Sequence, residues 1–348
     1  MSRRTLAGLI AAPLAVALWL VALLLPVPYV TYSPGLTVDV LAEDHGKEIV
    51  QVKGHPVYHD NGELRMTTVY VTRPESTLNI YEALSSWLSD TEAVYPYNAV
   101  YGDGETEKES QTESSVQMVS SQDAAVATAL KELGYDVKPV IEVLNVDDAL
   151  PAHDKLEVRD VILEVDGTRI TTSQQVVDKV KAAKKGQAVS FVVRRGGKER
   201  TVSIVPKDVD GTPKVGIITG PGYVFPFDVS VDIPDAIGGP SAGLMFSLAI
   251  YDTLTPGSLT GGKIVAGTGT IDEKGQVGPI GGIPQKIAAA QQADAELFLV
   301  PAANCSEALG APDDGMRLVK VTTMHDAMTS VKAWVKNPGA PLPSCEGS

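Results

Sequence analysis

One serine in this 348-residue chain stands where nucleophilic chemistry is favoured. The run Gly238-Gly239-Pro240-Ser241-Ala242-Gly243 follows a strand-like segment, residues 229–233, and the spacer Pro234-Asp235-Ala236-Ile237. It precedes an apolar helical stretch, residues 244–254. Ser241 therefore falls at a helix N-terminus, where unpaired N–H groups and the positive end of the dipole meet developing negative charge. An oxyanion hole needs those groups. The glycines let backbone approach a substrate closely, so Gly239, Pro240, Ala242 and Gly243 are the expected oxyanion-side neighbours. A serine nucleophile also needs a base. Lysine can serve if burial makes its ammonium form unfavourable. Lys286 falls in the first turn of an apolar helix continuing through residues 287–293. A cation is disfavoured at that end of a helix, which suits a neutral amine.

Other chemistries fit less of the chain. Residues 239–243 also satisfy G-x-S-x-G, the nucleophile elbow of α/β-hydrolases, and Asp313 or Asp314 and then His325 follow in Ser-Asp-His order. That elbow belongs after several strands of a parallel sheet, and residues 208–240 are too few to supply them. His325 opens what reads as an ordinary terminal helix. An esterase using Ser241 and His325 is therefore the alternative rather than the first reading. No S-x-x-K occurs. Residues 257–264 nearly match a phosphate-binding loop, but Ile264 replaces the magnesium-binding hydroxyl and a strand-like run follows where a helix is required. This segment is read as a turn, with no ATP bound and no cofactor. His55 and His59 have a spacing that suits a metal on a helix, but Pro56 argues against a helix, so no metal site is expected.

The segments around these residues divide the chain. Residues 6–25 carry no charge and follow Arg3 and Arg4. As a helix they would span roughly the 30 Å of a bilayer core. The exit through Pro26-Val27-Pro28 is a poor cleavage site, so the expectation is a retained membrane anchor. Its N-terminus would be cytoplasmic and the catalytic part extracytoplasmic. Cys305 and Cys345 could then pair and clasp the tail. Residues 27–100 read as strands and turns with a short helix at 78–88. The polar run 102–115 reads as a linker, and 117–133 as a helix closed by Gly134. Residues 138–207 show a strand, then Asp160-Val161-Ile162-Leu163-Glu164-Val165-Asp166-Gly167, a helix beginning at Ser173, and a closing hairpin. This order, with its D-x-I-x-x-V-D-G core, resembles a PDZ domain. The resemblance implies capture of an extended peptide at a sheet edge. Gly134 and Tyr135 are the candidate carboxylate loop, with Ile141 beside them.

A second resemblance bears on the chemistry. Gly-Pro-Ser-Ala-Gly is followed, 45 residues after its serine, by Lys286 in P-I-G-G-x-x-x-K, with Thr268 opening T-G-T-I-x-x-x-G-x-V between them. Over roughly residues 212–336 this resembles the proteolytic domain of Lon proteases. With the apolar segment and PDZ-like unit, the whole chain resembles the membrane-anchored PDZ-containing Lon-like proteases of bacteria. The resemblance implies that Ser241 is the nucleophile, Lys286 the general base and Thr268 a support for the lysine. It also implies protein or peptide substrates, no ATP and a homo-oligomer, a hexameric ring. Gly238 departs from the acidic residue that often precedes the motif in Lon.

The expected architecture is α+β and multidomain. It comprises an anchor (1–26), an N-terminal mixed region (27–133), a PDZ-like β domain (134–207), a Lon-type α/β domain (208–336) and a tail (337–348). A PDZ scaffold carrying an inert protease domain is the non-enzymatic alternative. Composition narrows the partners: 43 acidic against 29 basic residues, a net charge of −14, repel nucleic acid over most of the surface. The expected function is ATP-independent, membrane-anchored serine endopeptidase activity.

Overall fold

Strands from both ends of the chain meet in one central sheet. The computed structural model describes residues 2–346 apart from Asp235, and at Arg3, Leu6, Leu23 and Leu24 the backbone alone. Helix α1 (Arg3–Leu24) leads into β1 (Tyr29–Asp39), β2 (Val50–Lys53) and β3 (Glu63–Val71), then α2 (Ile80–Trp87) and β4 (Ala93–Pro96). Helix α3 (Glu107–Glu132) follows. Next come β5 (Lys138–Val146), β6 (Val161–Val165), α4 (Ser173–Lys181), β7 (Val189–Arg195), β8 (Lys198–Ile204) and β9 (Ile217–Val224). The chain ends with β10 (Asp228–Val231), α5 (Gly243–Leu254), β11 (Ile264–Gly267), α6 (Ile283–Gln292), β12 (Leu297–Pro301), α7 (Cys305–Ala308), β13 (Arg317–Val321) and α8 (Met324–Lys336).

The central sheet has the order β13-β12-β11-β3-β1-β4. Strands β13, β12, β11 and β3 run parallel, and β1 and β4 continue antiparallel. The core strands have apolar side chains on both faces, such as Leu297 to Val300, as parallel strands covered by helices require. Strand β11 needs a partner on each side, and β3 supplies one of them. The N-terminal mixed region is thus half of this sheet rather than a separate unit. Helices α3 and α5 pack together over it, with Ala125, Leu130, Leu244 and Phe246 fully buried.

The second sheet, β8-β7-β6-β5-β9, is antiparallel and encloses its own core, including Val143, Ile162, Phe191 and Ile204. It lies in the chain between α3 and β10, and β10 pairs with β2. The sheet is therefore an insertion into the first unit. It extends past residue 207, because β9 pairs with β5 along its whole length. At the joint, Arg159 donates to Asp123 and Gln122 on α3 at 3.1 and 2.6 Å. Arg159 stands in the left-handed region, with φ of +69°. Burial, then the neighbouring Asp123 carboxylate, push the Glu142 carboxyl well above its usual range.

The expected linker is helical. Residues 107–115 form the first turns of α3 because Thr106 and Glu109 make a reciprocal capping box. Thr112 and Ser115 return their hydroxyls to carbonyls one turn back. Cys305 and Cys345 are disulfide-bonded, which ties the tail to α7.

The transmembrane helix expected over residues 6–25 is not supported. Among the described residues, no helix is long and apolar enough to cross a membrane. Pro13 also interrupts the hydrogen-bond ladder of α1. The single-pass, extracytoplasmic placement rested on that helix and falls with it.

Candidate active site

Ser241 stands just before Ala242, the N-cap of α5. Helix α5 is buried along its length except at Tyr251, so its N-terminus is held rigidly by the core. Lys286 is the fourth residue of α6, which starts after Gly282 in the left-handed conformation (φ +70°) and has Pro284 in its first turn. Gln285, Lys286, Ile287 and Ala288 are all buried, so the lysine stem has no route to solvent.

Between the two helices the side chains meet. Lys286 Nζ lies 2.7 Å from Ser241 Oγ and 3.1 Å from Thr268 Oγ1. Thr268, fully buried after β11, donates its own hydroxyl to the Ser241 carbonyl at 3.0 Å. The Gly269 N–H donates to the same carbonyl at 2.8 Å. Lys286 is 2% exposed, and among the described residues no carboxylate pairs with it. Burial alone brings its pKa down to about 7. The amine is therefore available in its neutral form near neutral pH, where Ser241 can donate its proton to it. A cavity of about 190 Å³ opens beside the serine, walled by Leu36, Met66, Val69, Met118 and Ile237.

The neighbours of Ser241 are not equivalent. The Gly239 N–H, expected to face a substrate, donates instead to the Ser114 carbonyl on α3 at 3.0 Å. Pro240 has no N–H, and the Gly243 N–H turns back to the Pro240 carbonyl at 3.4 Å. The N–H groups of Ser241 and Ala242 find no protein acceptor among the described residues. The free N–H donors beside the serine are thus those two, and Gly239 and Gly243 turn their N–H groups elsewhere. Gly243 tolerates no side chain: a Cβ there would lie 2.8 Å from Ile271 and Ser121 atoms.

Residues 224–333 match the family model of the Lon protease (S16) C-terminal proteolytic domain, and residues 110–205 match that of the PDZ domain. The chain joins a PDZ domain to a Lon-type proteolytic domain. The second is a serine peptidase domain. Among curated relatives, the Lon protease of Campylobacter jejuni is 32% identical over 131 residues, covering 36% of this chain and 16% of that protein. Lon protease 2 of Bacillus subtilis is 31% identical over 107 residues, covering 30% and 19%. The chain thus spans less than a fifth of either relative's length. The PDZ domain of an SdrC-like protein from Listeria innocua is 33% identical, covering 23% of this chain and 92% of that one, with a TM-score of 0.22.

The residues expected to bind a peptide fall in different parts of the structure. Gly134 and Tyr135 close α3 instead: their N–H groups donate to Lys131 and Leu130 in a Schellman-type turn. The Tyr135 hydroxyl meets His55 Nε2 at 2.9 Å. Ile141 lies on β5, which pairs with β9 throughout but with β6 only at Glu142, and it lines a different cavity, of about 670 Å³, between β5 and β6. The edge strands of the sheet are β8 and β9, and between β9 and α4 lies a cavity of about 490 Å³ lined by Val176, Val177, Val180, Gly216, Ile217 and Ile218, among others. The sequence signal was Lys214-Val215-Gly216-Ile217, a glycine between apolar residues at a strand start. Gly216 has φ of +88°, and a Cβ there would strike Leu150 at 2.2 Å. This signal was missed because residues past 207 were counted with the next domain.

His325 takes no part near Ser241. It is exposed at the start of α8 and pairs with Glu132 on α3 at 2.7 Å. His59 pairs with Glu48, and the described residues contain no cluster of three or more His, Cys, Asp or Glu side chains able to hold a metal. Residues 257–264 turn directly into strand β11, without the helix a phosphate-binding loop requires.

Proposed function

We propose that this chain is a serine endopeptidase with a Ser241–Lys286 dyad, acting on protein or peptide substrates without nucleotide. The observation that carries this reading is the 2.7 Å approach of a serine hydroxyl to a buried lysine amine. Neutral Lys286 accepts the Ser241 proton as Oγ attacks the scissile carbonyl carbon. The carbonyl oxygen becomes an oxyanion that the Ser241 and Ala242 N–H groups can stabilise. The ammonium then gives its proton to the leaving amine, the C–N bond breaks and the acyl-enzyme forms. Water, deprotonated by the same amine, attacks the ester and releases Ser241. Thr268 holds Lys286 and the Ser241 carbonyl in register throughout. All three residues come from one chain, so no step in this scheme needs a second copy. The turn at residues 257–264 supports nucleotide independence.

The cavity beside α4 supports peptide recognition by the PDZ domain. An extended segment can add to the β9 edge and place an apolar side chain against Val176 and Val180. The test of the peptidase reading is digestion of an unfolded protein such as β-casein, with fluorophosphonate labelling and mass mapping of the adduct. The adduct is expected on Ser241, with digestion lost in Ser241→Ala and Lys286→Ala. Continued cleavage by both variants would refute the dyad.

A further inference from the structure

Helix α3 lies outside the segment that matches the proteolytic domain, yet it holds the nucleophile's loop. Its Ser121 is 5% exposed and donates its hydroxyl to the Pro240 carbonyl at 3.0 Å. About two turns upstream, the Ser114 carbonyl accepts the Gly239 N–H. Gly238 packs so closely on Ser114 that a Cβ would stand 2.8 Å from it. From the other side, Thr268 and Gly269 hold the Ser241 carbonyl. Consecutive peptide units are therefore pinned from opposite directions.

The consequence follows from peptide geometry. No peptide bond here is cis. In a planar trans unit the C=O and N–H point opposite ways. Holding the Pro240 carbonyl against Ser121 therefore turns the Ser241 N–H away from that hydroxyl. This N–H has no protein acceptor among the described residues and belongs to a residue lining the cavity. The Gly243 N–H also reaches the Pro240 carbonyl, but at 3.4 Å. Ser121 is the shorter contact.

Resting on the peptidase reading above, we infer that Ser121 is a positioning residue: by holding the Pro240 carbonyl it aims the Ser241 N–H as a donor to the oxyanion. It touches no substrate atom. Its effect belongs to the transition state, where the oxyanion exists, and not to ground-state binding. The buried hydroxyl has a purely structural alternative, a polar group satisfied within the core. The two differ in which measurement moves.

The experiment uses the full chain and its Ser121→Ala and Ser121→Thr variants. Fluorescein-labelled casein reports kcat and KM, and a peptide aldehyde reports binding of a tetrahedral oxyanion adduct. Ser121→Ala is expected to lower kcat about 10- to 100-fold with KM within about twofold. The aldehyde inhibition constant should rise by a similar factor, and the pH midpoint of kcat should not move, because Lys286 keeps its surroundings. Ser121→Thr keeps the hydroxyl and should recover most of the rate. If the alanine variant loses its melting transition, Ser121→Cys, with a similar volume and a weaker donor, is read by the same criteria. A kcat within about twofold of the unaltered chain overturns the inference. So does a fall in kcat with the aldehyde constant unchanged. If the unaltered chain neither digests casein nor reacts with a fluorophosphonate, the peptidase reading itself has failed.

Discussion

Replacing Lys286 with methionine should abolish proteolysis and, at neutral pH, stabilise the fold. The amine is 2% exposed and burial brings its pKa from the ordinary 10.5 to about 7. At about 1.4 kcal/mol per pH unit, that gap is a folding cost on the order of 5 kcal/mol. Between about pH 7 and 10.5 the unfolded chain holds a proton that the folded chain has released. Stability of the unaltered protein therefore rises with pH through that window. Below about pH 7 both states are protonated and the cost is constant. Methionine removes this cost, but leaves Ser241 Oγ without a partner and Thr268 Oγ1 with only its bond to the Ser241 carbonyl, at about 1 kcal/mol for each bond lost. The net gain is about 2–3 kcal/mol at pH 7. It should shrink as pH rises, reach zero near pH 9 and reverse above it. Urea unfolding of both proteins at intervals from pH 6 to pH 10 measures the difference. A methionine variant that is less stable at pH 7, or a difference that is flat across pH, would refute the assignment of Lys286 as a desolvated amine held at folding's expense.

Three further outcomes follow. The rate constant kcat/KM should rise about tenfold per unit below pH 7 and level off above about pH 8, because the neutral amine is the active form; a rate falling with pH would exclude a lysine base. Val177→Glu, on the exposed side of α4 facing the groove, should weaken binding of a peptide with a free C-terminal carboxylate about tenfold in fluorescence polarisation, while fluorophosphonate labelling of Ser241 is unchanged. Replacing Cys305 and Cys345 together with serine opens a link across a sequence separation of 40 residues and should cost about 4 kcal/mol by thermal or denaturant unfolding, with kcat within about twofold.

The three residues that meet at the candidate site, Ser241, Lys286 and Thr268, were legible because their signal is chemical and local. GPSAG reads as glycines beside a helix start, and Lys286 reads as a cation in an apolar first turn. Their meeting at 2.7 Å depends on α5 and α6 packing on a shared sheet, which no local pattern states. The linker reading failed on a local signal that was present: Thr106 and Glu109 have capping-box spacing, and a polar composition hid a helix start. The groove was misplaced for another reason. Strand β9 lies far from β5 in sequence yet pairs with it throughout, so its edge is visible only once the sheet forms. The anchor rested on an uncharged run after two arginines and on its span as a helix, but among the described residues no helix is long and apolar enough to cross a membrane.

What the sequence singled out by itself is the candidate chemistry: which serine, which lysine and which threonine, and that a PDZ-like unit stands beside them. These are properties of residue type at fixed spacing. What only the tertiary structure decided is who supports them. The sheet beneath the site is completed by β1 and β3, the nucleophile's loop is held by Ser114 and Ser121 of α3, and the Gly239 N–H faces α3 rather than substrate. Apart from β1 on β3, each is a contact across more than a hundred residues of chain, made by burial and by ordinary hydrogen bonds, and so written in no motif.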